Sequence, residues 1–227
     1  MYNFVVREYQ GLKEIRYYSS PIKTDEDRIK PRKKRVKSER KRLALVSENP
    51  FTGEQIIEWL EDDPNEERNL RCLYDSLSRT RRAIYDLCMS NKWDYFLTFT
   101  FRKEVVDRYN YEDCSKKMMI WVNNVKKLFA PNLKYVIVPE QHKDGAWHFH
   151  GLLADVGDLS FIDSGLTDSK GRTIYNLFEY KFGFTTATKV TDSLATCLYV
   201  QKYITKGLCE KLMNKKRYWC SRNLEML

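Results

Sequence analysis

The sequence predicts an α+β fold, and three observations carry that expectation. Runs with strand-type alternation, rich in β-branched and aromatic residues, occupy 93–101, 133–139, 147–154 and 183–190. Apolar residues at helical spacing occupy 66–89, 112–129 and 193–207. Asp144-Gly145 sits between two of the strand runs, which makes them the arms of a hairpin and therefore antiparallel.

The elements follow in chain order. Residues 1–23 hold Tyr2, Phe4, Tyr9, Tyr17 and Tyr18 without a clear period. Residues 28–42 carry ten Lys and Arg, the composition of a solvated arm able to meet phosphate. Residues 43–67 reverse the balance, with eight acids and no Lys or Arg. The expected division is therefore an N-terminal basic and acidic extension, 1–65, partly flexible, and a folded domain, 66–227, opened by a helix. That helix is read from Leu70, Leu73, Leu77, Ile84, Leu87 and Cys88, and it runs into the strand Trp93–Phe101. The 112–129 helix turns Met118, Trp121, Val122, Val125, Leu128 and Phe129 to one side and stops at Ala130-Pro131-Asn132. Residues 155–172, rich in Gly, Asp and Ser, predict a loop, and 174–180 a short helix. Gly207 suits the end of the 193–207 helix. A last strand is expected within 217–222.

Composition narrows the function classes. Lys plus Arg exceed Asp plus Glu by 40 to 31, a net charge of +9 that suits a polyanionic partner. The six cysteines form no C-x-x-C pair, which argues against a thiolate zinc site. There is no signal peptide, no run of 18 apolar residues and no phosphate-binding G-x-x-x-x-G-K-[ST] loop. The expected setting is the reducing cytoplasm of a bacterial host cell, without membrane contact and without an ATPase in this sequence.

Two constellations point to chemistry. All three histidines fall within 142–150. His148 and His150 are two apart in a strand, so both imidazoles lie on one face. Glu140 and His142 share a face of the facing arm in the same way. These four groups are the candidate ligands of a divalent ion, Mg²⁺ or Mn²⁺, with Glu140 and His142 competing for the third position. The second constellation is Tyr199, Tyr203 and Lys206, which lie within about 60° of one another on a helix. Cys197, Val200, Ile204 and Leu208 form a separate apolar stripe. A tyrosine hydroxyl can attack a phosphodiester when cations neutralise the phosphate, and Lys202 and Lys206 are candidates for that work.

The ordered set Phe96-Leu-Thr-Phe-Thr-Phe101, His148-Phe-His150-Gly151 and Tyr199-x-x-x-Tyr203-x-x-Lys206 resembles the HUH superfamily. The order matches its rolling-circle replication initiators, and the tyrosine pair resembles the two-tyrosine type of phages and plasmids. The likeness covers about residues 79–222. It implies a central antiparallel sheet of about five strands with flanking helices, a ferredoxin-related arrangement. It further implies His148, His150 and Glu140 as metal ligands, Tyr199 and Tyr203 as nucleophiles, and Lys202 and Lys206 as their partners. The implied substrate is single-stranded DNA at a replication origin. Many relatives carry a helicase or a longer C-terminal region, which this sequence lacks; the alternatives are a host helicase as partner or a shortened form, and a host polymerase is the expected user of the released 3′ hydroxyl. The competing readings are a single-strand transposase of the same superfamily and a non-catalytic DNA-binding regulator.

Overall fold

The computed structural model describes the backbone of residues 2–9, 12–22, 44–48, 55–59, 64–207 and 215–226. Two compact units emerge, Met1–Asp75 and Ser76–Leu227. In the first, β1 (Tyr2–Tyr9) pairs antiparallel with β2 (Leu12–Ile22), and β3 (Ala44–Glu48) with β4 (Gln55–Trp59). The aromatic N-terminus is thus a hairpin, in which the buried Tyr9 donates to the Glu14 carboxylate. The basic segment 28–42 lies outside the described residues.

Helix α1 (Pro64–Ser90) leads into the second unit, followed by β5 (Tyr95–Phe101), α2 (Tyr111–Leu128), β6 (Lys134–Gln141) and β7 (Trp147–Ala154). Strands β8 (Phe161–Thr167), β9 (Thr173–Leu177) and β10 (Gly183–Lys189), helix α3 (Ser193–Gly207) and β11 (Trp219–Cys220) complete it. The strands form one seven-stranded sheet in the order β11-β6-β7-β5-β10-β9-β8, with every neighbouring pair antiparallel. The expected sheet of about five strands is therefore too small. The loop expected over 155–172 and the short helix expected over 174–180 give way to β8 and β9, which pair with each other. The Gly, Asp and Ser content of this region serves a register shift between Asp163 and Leu166 and a turn at Asp168–Arg172.

Alternation splits the sheet into two faces. Leu97, Phe99 and Phe101 of β5 and Phe149 of β7 turn to one face, where Phe99 meets Trp121 of α2 with ring centroids 4.9 Å apart. Asn110 caps α2 by accepting from the Glu112 and Asp113 amides. Met118, Trp121, Val122 and Val125 are its buried stripe. Farther out on this face, Phe161 stacks on Tyr95 at 3.8 Å, and Tyr175 meets Tyr95 edge-on.

The other face carries Phe96, Thr98 and Thr100, and α3 packs over β6 and β7 there. Buried Cys88 of α1 hydrogen-bonds Cys197 of α3, so both helices share this face. That bond and burial push the Cys88 thiol well up, which keeps it protonated and inert. The β6–β7 turn closes as expected: the His142 amide donates to the Ala146 carbonyl at 2.8 Å, and Gly145 takes φ +90°. Among the described residues no helix is long and apolar enough to cross a membrane.

Candidate active site

The site is built in transverse rows across the face under α3. In the first row Glu140 of β6 stands opposite His148 of β7, which stands opposite Thr100 of β5. In the second, Val138, His150 and Thr98 align in the same way. In the third, Val136, Leu152 and Phe96 do so. Two-residue periodicity alone puts His148 and His150 side by side. The neighbouring strand decides what meets them.

Thr98 Oγ1 lies 3.1 Å from His150 Nδ1, and Thr100 Oγ1 lies 3.2 Å from His148 Nδ1. Each ring thus has its Nδ1 held by a hydroxyl of β5, and its Nε2 is left for other work. His150 Nε2 meets Glu140 Oε2 at 2.7 Å, with the His150 side chain 6% and the Glu140 side chain 12% exposed. Burial is the main cause that lowers the pKa of His150, against the opposing pull of Glu140. Burial also lowers that of His148, helped by His142 and His150. Both imidazoles are therefore neutral at pH 7, the form that ligates metal. A carboxylate only accepts, so His150 Nε2 carries the proton toward Glu140 and Nδ1 accepts from Thr98. A hydroxyl serves either tautomer, and it can equally accept from Nδ1–H when Nε2 is bound elsewhere.

His142 is exposed in the turn, its ring centroid 4.6 Å from that of His148. The four groups thus form two pairs, Glu140 with His150 and His142 with His148. Among the described residues no group of three or more His, Cys, Asp or Glu side chains is gathered as a ready-made metal cluster. The donor chemistry still fits a hard or borderline divalent ion: two neutral imidazoles fixed from behind and one carboxylate.

Helix α3 adds Tyr199. Its neighbours Cys197 and Val200 are fully buried, whereas Tyr199 is 46% exposed. Its ring meets Phe96 edge-on at 5.4 Å. Phe96 in turn lies parallel to the His150 imidazole, with centroids 6.1 Å apart. One ring therefore separates the exposed tyrosine from the histidine pair. Lys202, Tyr203 and Lys206 continue α3, with Tyr203 one turn beyond Tyr199, but their side chains lie outside the described residues.

Sequence reading misses Thr98, Thr100 and Phe96 as parts of this site. The signal is present in the alternation Phe96-x-Thr98-x-Thr100, but only pairing with β7 says which strand faces the histidines. Nor does sequence reading reveal a groove of about 470 Å³ beside Tyr199, between α3 and the β8–β9 turn.

The family model of the replication-associated protein ORF2 matches residues 94–208. That span runs from β5 through α3 and contains every candidate side chain named above. No curated protein and no solved structure matches the chain.

Proposed function

The chain belongs to the replication-associated protein ORF2 family, and on that premise we propose that it is an HUH-type, two-tyrosine initiator of rolling-circle replication. It nicks and rejoins single-stranded DNA at an origin. The observation that supports this reading most is the shared sheet face of His148, His150, Glu140 and the exposed Tyr199, joined through Phe96.

His148, His150 and Glu140 would hold Mg²⁺ or Mn²⁺, with His142 the rival for the third position. Such an ion, when bound, polarises the scissile phosphate as a Lewis acid. Thr98 and Thr100 hold the two imidazoles by Nδ1, which leaves the Nε2 of each as the atom that would meet the ion. The Tyr199 hydroxyl loses its proton as its oxygen attacks phosphorus. The bond from phosphorus to tyrosine forms, and the bond to the 3′ oxygen breaks. The 5′ phosphate stays on the protein, and the freed 3′ hydroxyl takes up a proton and can prime a host polymerase. Lys202 and Lys206, each three residues after a tyrosine, neutralise the phosphate. One phosphoester replaces another, so nicking and rejoining need no ATP. Tyr203 performs the second transfer while Tyr199 is occupied, and a host helicase opens the duplex.

The test is nicking of an origin oligonucleotide with Mn²⁺. Tyr199→Phe and Tyr203→Phe should each still nick, at unequal rates, and the double variant should form no covalent adduct. His148→Ala or His150→Ala should abolish divalent-dependent nicking while most DNA binding remains, because phosphate contacts dominate affinity. An adduct mapped by mass spectrometry to a residue other than Tyr199 or Tyr203 refutes the nucleophile assignment.

A further inference from the structure

We propose that the active-site face of strands β5, β10, β9 and β8, beside α3, is the track that holds single-stranded DNA next to the reacting phosphate. This rests on the nicking function proposed above and assigns a place to the nucleotides beside the nick.

The rows of the active site do not stop at β5. Phe184 of β10 stands opposite Thr100, Thr186 opposite Thr98, and Thr188 opposite Phe96. Ala187 pairs with Tyr175 of β9, which brings Asn176 and Ile174 beside Thr186 and Thr188. Thr186 and Asn176 are exposed, and Phe184 is 60% exposed. On the opposite face of the same strands the rings of Tyr95, Phe161 and Tyr175 pack on one another.

The 470 Å³ groove lies on this surface. Phe96, Thr98, Thr186 and Thr188 line it from the sheet, Thr196 and Tyr199 from α3, and Lys170 and Arg172 from the β8–β9 turn. Two cations, Lys170 and Arg172, line it from the turn with two acids, Asp168 and Asp192, while Lys189 turns its ammonium to the Tyr175 ring on the opposite face. Both acids are already engaged. Asp168 binds the Arg172 guanidinium at 2.7 Å and accepts from the Lys170 and Arg172 amides, and Asp192 accepts from the Ala195 amide of α3. The exposed Lys170 offers phosphate a cation at the groove's rim, and threonine hydroxyls are suited to phosphate and sugar. Phe184 selects the strandedness: an exposed ring offers a stacking platform to an unpaired base, whose faces are closed in a duplex. The groove is continuous with the site because Thr98 and Tyr199 belong to both.

The test uses the full chain without divalent ion, so that binding proceeds without cleavage, and a fluorescent oligo(dT) as probe. Phe184→Ala should weaken binding about tenfold, the loss of one base–aromatic stack. Lys170→Ala with Arg172→Ala should lower the slope of log affinity against log salt by about 1.4, two single-strand phosphate contacts. Lys126→Ala, on α2 at the opposite face, should change neither. Photocrosslinking with iododeoxyuridine oligonucleotides should label the peptide holding Phe184. If the wild type binds oligo(dT) and the Phe184 and Lys170/Arg172 variants bind it equally, with crosslinks elsewhere, the track is wrong and the nicking proposal stands. If the wild type binds no oligo(dT), the track as a sequence-tolerant stacking surface is wrong, and the nicking proposal is decided by its own assay on the origin oligonucleotide.

Discussion

The threonines of β5 offer a sharp test of the site, because they touch the histidines from behind and no substrate is needed to see their effect. Thr98→Val removes the hydroxyl 3.1 Å from His150 Nδ1 and keeps the side-chain shape. The His150 side chain is only 6% exposed, so water cannot easily replace that hydroxyl. An unsatisfied buried polar group costs about 1–3 kcal/mol. Both tautomers lose a partner, but the cost is larger for the one that presents Nε2 to a metal, because it leaves an Nδ1–H donor orphaned whereas the metal-free form leaves only a bare acceptor. At about 1.4 kcal/mol per factor of ten, Mn²⁺ affinity should fall roughly 5- to 150-fold, in the range known for groups that orient metal-binding histidines. Thr100→Val should cost less, because His148 is only half-buried and water can take over. Calorimetry or electron paramagnetic resonance gives the Mn²⁺ affinity, nitrogen shifts of the imidazoles give the tautomer, and thermal melting checks the fold. Unchanged affinity in the folded Thr98→Val variant would refute the positioning role, and a larger loss in Thr100→Val would refute the burial argument.

Glu140→Ala should cost more nicking than His142→Ala, since a carboxylate suits Mg²⁺ or Mn²⁺ better than a third imidazole and His142 sits exposed in the turn; the reverse ranking at matched stability would give the ligand role to His142. Gly183→Ala should lower Tm by several degrees, because a Cβ there would lie 1.9 Å from the Thr100 carbonyl oxygen and push β10 off β5; an unchanged melting curve would show that the strands give way freely. Replacing the ten Lys and Arg of residues 28–42 by Gln should flatten the salt dependence of oligonucleotide binding by about 0.7 for each lost phosphate contact, with cleavage at saturating DNA retained. An unchanged slope would mean that the segment does not touch DNA.

Local pattern is enough for much of this protein. The spacing His148-x-His150 puts two imidazoles on one face of a strand whose expected bounds, 147–154, are the observed ones. Asp144-Gly145 marks the turn that folds Glu140 back beside them. The 193–207 helix is legible from its apolar period, and so is its exposed tyrosine side, because Cys197 and Val200 are the residues that bury. These are short-range consequences of backbone period and turn chemistry. What lies beyond reach is long-range. Nothing near residue 98 says that β5 will insert between β7 and β10, yet that pairing gives each histidine its threonine and continues the face out to Phe184. Nothing in the composition of 155–177 says strand, because its Gly, Asp and Ser residues serve a turn and a register shift while pairing to β10 supplies the missing preference. Strand order is settled by contacts between segments far apart in the chain, and only the tertiary structure holds them.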